Sequence, residues 1–121
     1  MALILKLPSI NVYMKSAIFI CVYVGVGEQL EAGAKLFDLS VDLSAIFPQD
    51  CPPISYYRMI LRERAWLRRL DVQEGDEREV GGILALFTAG PAEPLDAAPQ
   101  RPVRFITAGI LHQSHWTRSA P

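Results

Sequence analysis

Arginines at positions 58, 62, 64, 68 and 69 are the densest group of chemistry-bearing residues in the chain. Guanidinium groups at that spacing could grip a phosphate, an acidic protein surface or nucleic acid. Acids at Glu63, Asp71, Glu74, Asp76, Glu77 and Glu79 lie close in sequence and offset much of that field, which favours a solvated strand face. Stacking aromatics among the arginines are limited to Tyr57 and Trp66, so no nucleic-acid partner is expected. Cys51 could be a nucleophile with a thiolate stabilised by His112 or His115, but no sequence neighbour supplies a base. A small Cys/His enzyme is therefore an alternative, and no catalytic residue is assigned. His112 and His115 have an i, i+3 spacing that could begin a metal site, with no third ligand nearby, so no metal is expected. Cys21 lies in an apolar run and reads as core. The lysines are Lys6, Lys15 and Lys35.

The elements that hold these groups must fit one domain. A chain of 121 residues, 50% hydrophobic, allows one domain with an ordinary core, and nothing in it suggests a second globular unit. The net charge of -1 exerts no general pull on nucleic acid or anionic membrane. Two cysteines set in an apolar run and a Pro-rich stretch make neither a disulfide framework nor a zinc set, so a reducing cytoplasm is expected. The apolar segment 17–26 is about half the ~20 residues of a spanning helix, and no leader pattern precedes it, so neither membrane anchor nor secretion signal is expected.

A shift of 48 residues superposes Ala17 on Ala65, Val24 on Val72, Gly27 on Gly75, Glu28 on Asp76, Glu31 on Glu79, Gly33 on Gly81 and Leu36 on Leu84. The shared pattern is V-x-x-G-[DE]-x-x-E-x-G-x-x-L. Gly27 and Gly75, each followed by an acid, suit tight turns with positive φ, and Gly33 and Gly81 suit a second turn before the next strand. Strand, turn, short crossing segment, turn and strand thus occur twice.

Period-2 alternation is clearest in the second copy, where Met59, Leu61, Ala65 and Leu67 alternate with Arg58, Arg62, Arg64 and Arg68. Glu63 breaks the pattern. Beyond Arg69 the phase shifts to bring Leu70 and Val72 inward, which requires a bulge near Arg68-Arg69. A helical alternative, capped by Ser55 and carrying Tyr56, Ile60, Leu67 and Leu70, competes with this reading, as does a helix lined by Leu30, Ala34 and Phe37. The β-branched and aromatic run 18–24 favours strands for both copies, and the fold class is read as all-β.

The glycines do not stand alone. The chain opens Ile4-Leu5-Lys6-Leu7-Pro8-Ser9-Ile10-Asn11, continues Met14-Lys15-Ser16-Ala17-Ile18, and carries Gly27-Glu28, Glu31-Ala32-Gly33 and the run 36–42. This order, with its duplication, resembles the biotinyl/lipoyl attachment domain family over residues 4–87. The resemblance implies a barrel-sandwich hybrid, a flattened β-barrel whose halves form a pseudo-twofold repeat, with a hairpin presenting an acylated lysine. Residues 1–88 are then the domain, and 89–121 a linker and an extra C-terminal strand over 103–111 that returns to an exposed sheet edge.

Three departures from the family bear on function. Val41-Asp42-Leu43-Ser44 stands where the family carries its lysine, so Leu43 is the carrier-lysine equivalent and offers no amine for amide formation. The hairpin is enlarged by an insertion over 44–57 that contains Phe47, Pro48, Pro52, Pro53, Tyr56 and Tyr57. Ala17 and Ala65 replace glycines common in the family. Rigid proline and aromatic groups at one end of a β domain suit protein binding, so the expected function is a non-carrier binding or assembly module, with homo-oligomerisation possible. The segment could equally fold back over a barrel edge. The alternative within the family is a biotin or lipoate carrier modified at a relocated lysine, Lys35 or Lys15, and without such relocation no cofactor is expected. An adaptor of the kind found in transport proteins whose lipoyl-like domains are split by a hairpin is a further alternative, weakened by the missing membrane signal.

Overall fold

The sharpest corners of the chain are its glycine turns. Gly27, Gly33, Gly75 and Gly81 all have φ between 90 and 97°, and no other described residue has positive φ. The acid after the first glycine of each copy has a specific use. Glu28 accepts the Gly25 N–H at 2.7 Å, and Asp76 accepts the Gln73 N–H at 3.0 Å. Each carboxylate thereby closes the turn three residues back, as Asx-type side chains do.

The computed structural model describes residues 2–10, 12–42, 54–95 and 101–110. Within them run β1 Ala2–Lys6, β2 Ser16–Val22, β3 Gln29–Leu30, β4 Lys35–Asp42, β5 Ile54–Leu61, β6 Ala65–Leu70, β7 Glu77–Glu79, β8 Ile83–Thr88, β9 Arg101–Pro102 and β10 Phe105–Ile110. The described residues contain no helix, so both helical alternatives fail and the all-β class holds. Two sheets form, with strand orders β3-β6-β8-β1-β9 (sheet A) and β10-β5-β4-β2-β7 (sheet B).

Exchanging β1–β4 for β5–β8 turns one sheet order into the other, and the correspondence extends to single residues. A bulge at Ile20 in β2 recurs at Arg68 in β6, where the shift in phase requires it. A second bulge at Leu36 in β4 recurs at Leu84 in β8. Gly27 donates its N–H to the Leu67 carbonyl at 2.8 Å, and Gly75 donates its own to Phe19 at 2.7 Å. The halves differ mainly at one corner, short between Leu61 and Ala65 and longer between Leu7 and Ala17.

The inward alternation fills the space between the sheets. Leu3, Leu5, Phe19, Phe37, Leu39, Met59, Leu61, Leu67, Leu84 and Phe87 are fully buried, with Phe19 edge-on to Phe37 at 5.3 Å between ring centroids. Side chains of this size contribute about 1.5–3 kcal/mol each when fully buried, so this seam is what holds the sheets face to face. The C-terminal segment adds an edge strand to each sheet. Arg101 and Pro102 pair in parallel with β1, Val103 is buried, and β10 pairs antiparallel with β5. The extra strand expected over 103–111 is thus β10, ending at Ile110 among the described residues, with β9 as an addition at the opposite sheet.

Candidate functional site

The outer face of sheet B holds the most distinctive polar arrangement among the described residues. Side chains at even positions of β5, and of β4 beyond the bulge at Leu36, point outward, because Phe37, Leu39 and Met59 take the inward places. Cross-strand register then aligns Ala108, Arg58, Asp38 and Cys21 in one row, and Ile110, Tyr56, Ser40 and Ile18 in the next.

Asp38 is wholly buried beneath this row although it lies on the outer side of its sheet. Its carboxylate accepts Arg58 Nε at 2.8 Å and Arg58 Nη2 at 3.0 Å, a bidentate pair, and the Tyr23 hydroxyl at 2.6 Å. Charge-assisted bonds of this kind are what a desolvated carboxylate requires. The Tyr23 ring in turn lies 5.7 Å from Lys35 Nζ and 5.8 Å from the Arg58 guanidinium carbon, within cation–π range of both. Burial, then the bond to Asp38, pushes the Tyr23 phenol far above its ordinary range, and the same carboxylate raises Arg58. Burial also raises the Cys21 thiol, so this half-buried cysteine is a poor nucleophile at neutral pH and is not the enclosed core residue expected.

Apolar side chains flank the polar row. Ile18 (45% exposed), Ile54 (40%) and Ile106 (42%) lie on this face, with Tyr56 half-buried between them. β4 ends at Asp42 and β5 begins at Ile54, so both ends of the intervening segment leave from the edge of this same surface.

Several expected site residues are redistributed. The insertion was expected over 44–57, but Ile54–Tyr57 belong to β5. Tyr56 faces outward, while Tyr57 packs against the core. The arginines do not form one patch, because the chain passes from sheet B to sheet A at Arg62–Arg64. Arg58 serves Asp38. Arg64 meets Glu31 at 3.2 Å and Arg69 meets Asp71 at 2.8 Å. Arg68 donates to the Thr88 hydroxyl and, at 2.6 Å, to the Glu93 carbonyl, so it pins the start of the linker. Arg62 is exposed at the corner. Lys35 begins β4 at the end away from residue 43, roughly 25 Å along an eight-residue strand. Leu43, Phe47, Pro48, Cys51, Pro52, Pro53, His112 and His115 lie outside the described residues.

Two features escaped sequence reasoning. Asp38 interrupts the apolar run Leu36-Phe37-Asp38-Leu39, a signal of a buried carboxylate in need of a partner. Glu63, noted only as breaking the alternation, grips Arg101 through two bonds of 2.7 and 2.8 Å and accepts the Arg104 N–H at 2.7 Å. Among the described residues no three His, Cys, Asp or Glu side chains gather as a metal would need, and no helix is long and apolar enough to cross a membrane. Compared with protein-family models, with curated proteins and with solved structures, the chain matches none.

Proposed function

We propose that the protein is a non-carrier domain of biotinyl/lipoyl type that acts as a protein-binding or assembly module. The repeated strand order and bulges support the barrel-sandwich hybrid, and Leu43 in the lysine's place supports loss of the carrier chemistry. The binding role rests on one observation above all: the outer face of sheet B. Ile18, Ile54, Tyr56 and Ile106 lie around a desolvated ion pair, beside the point where the proline-rich segment leaves and rejoins the sheet. Aromatic and aliphatic anchors around a fixed charged centre are the layout of an interface hot spot.

Retention of a specific protein from a native lysate tests this reading. Phe47→Ala and Tyr56→Ala are expected to reduce retention, while Lys6→Ala, on the other sheet, leaves it unchanged. Equal retention by all three variants moves the contact elsewhere. Tyr57→Ala, aimed at the core, reports on folding instead. Incubation with biotin or lipoate ligase, ATP and the vitamin is expected to leave the intact mass unaltered, whereas a mass gain at Lys35 or Lys15 restores the carrier reading.

A further inference from the structure

The four outer strands of the two sheets are not protected alike. β3 is two residues long and lies between Glu28 and Glu31, β7 reads Glu-Arg-Glu, and β9 is Arg-Pro. Shortness, charge and proline are the devices that keep a sheet edge from pairing with another chain. β10 has none of them. Its six residues read Phe-Ile-Thr-Ala-Gly-Ile, without a charge or a proline, and it is the outermost described strand of sheet B.

Register decides which of its main-chain groups point outward. Arg62 donates its N–H to the Arg104 carbonyl at 2.9 Å, and the pairing continues as Phe105 with Leu61 and Ile106 with Ile60. In an antiparallel ladder bonded pairs alternate with unbonded ones. Ile106, Ala108 and Ile110 therefore turn their N–H and C=O groups toward β5, and Phe105, Thr107 and Gly109 turn theirs away from the sheet.

We infer that the protein forms a symmetric dimer in which β10 pairs antiparallel with β10 of a second copy, making sheet B continuous across both. A twofold axis at Thr107 sets Thr107 against the same residue of the partner, a favourable cross-strand pair, and Phe105 against Gly109. Each of these positions presents outward-facing donors and acceptors, so every bonded pair is complete. A Cβ built on Gly109 meets nothing within 4 Å, which leaves room for the aromatic ring opposite, an arrangement that compensates a glycine in a strand. The absence of charge along β10 lets identical edges meet without repulsion. A second copy fits better than a charged peptide, which would find no counter-charge on this strand. The dimer also sets the outer faces of the two copies of sheet B side by side, independently of what binds them.

Light scattering on the full chain is expected to give twice the mass of one chain. Thr107→Pro removes an outward N–H that β5 does not use, and is expected to give the single-chain mass with an unchanged far-ultraviolet spectrum. With Cys21→Ser and Cys51→Ser in place, Thr107→Cys is expected to oxidise to a covalent dimer, while Gln29→Cys on the opposite sheet stays single. This second arm reads the pairing even if the proline variant fails to fold. A wild-type chain of single mass at every concentration, a dimer untouched by Thr107→Pro in a folded protein, or a dimer that Thr107→Cys does not cross-link overturns the inference.

Discussion

The two halves of the molecule share strands, turns and bulges, yet their outer faces carry different chemistry. Where sheet B sets Arg58 against Asp38, sheet A sets Ile4 against Leu86. Tyr23, which bonds Asp38, corresponds to Asp71, whose carboxylate instead meets the exposed Arg69. The apolar version shows that this backbone does not need a buried carboxylate to pair its strands. Desolvation cancels much of the attraction within a buried ion pair, so the pair in sheet B is better explained by specificity than by stability. A fixed charge pattern at the centre of an apolar surface discriminates among docking partners, which suits the binding role proposed for that face. The cores differ too, since Phe19 and Phe37 on one side correspond to Leu67 and Ala85 on the other.

The strongest way to break the comparison is through the core. Phe37→Ala removes one ring of the aromatic pair and is expected to cost about 4 kcal/mol, read from the urea midpoint at unchanged m-value. Ala85→Phe at the twin position overpacks the same seam and is expected to cost about 1–3 kcal/mol. Next comes the polar row. Asp38→Leu, which copies the twin, leaves Arg58 without its carboxylate and is expected to cost about 3 kcal/mol, near the low end for a broken buried pair because Arg58 is 25% exposed. Adding Arg58→Ile completes the apolar version, and the double variant is expected to return to within about 1 kcal/mol of wild type or to exceed it. If the double variant stays as unstable as the single one, the halves are not interchangeable and the specificity argument falls.

The repeat made the fold class legible because turn glycines and strand alternation are local properties. The bulge at Arg68 followed from the mismatch between the alternation before it and the inward Leu70 and Val72 after it. Division into two sheets was not legible in the same stretch. Apolar residues face the shared core from both β5 and β6, so Met59, Leu61, Ala65 and Leu67 keep one phase across a corner that changes sheets, with Glu63 as the only local sign of it. The arginines therefore read as one face although the chain distributes them over two. Partners such as Asp38 with Arg58, or Glu63 with Arg101, are set by register between distant segments, which single-sequence periodicity does not contain.

The corners supply a smaller contrast. The corner at Glu63 clamps the C-terminal segment, and the Arg101 guanidinium with the Arg104 N–H holds this carboxyl below its ordinary range. A folded pKa below the unfolded one means that the contribution is complete above the usual carboxylate range and is lost as pH falls through the depressed value. Glu63→Gln is expected to cost about 1–2 kcal/mol at neutral pH, to flatten that acid dependence, and to speed hydrogen exchange of the β10 amides. An unchanged pH profile would mean that the clamp does not hold β10.

The smallest effect belongs to an exposed pair of the same two group types as Asp38–Arg58. Arg64 and Glu31 also join a guanidinium to a carboxylate across distant segments, but both side chains are 63% exposed. Water screens the attraction and the ordering of two long side chains opposes it, so Arg64→Ala is expected to shift stability by less than about 0.5 kcal/mol. The two pairs then differ by several-fold in the cost of losing one partner, with burial as the variable that separates them. An Arg64→Ala loss as large as that of Asp38→Leu would show that charge pairing, rather than the desolvation of Asp38, sets the energetics of this molecule.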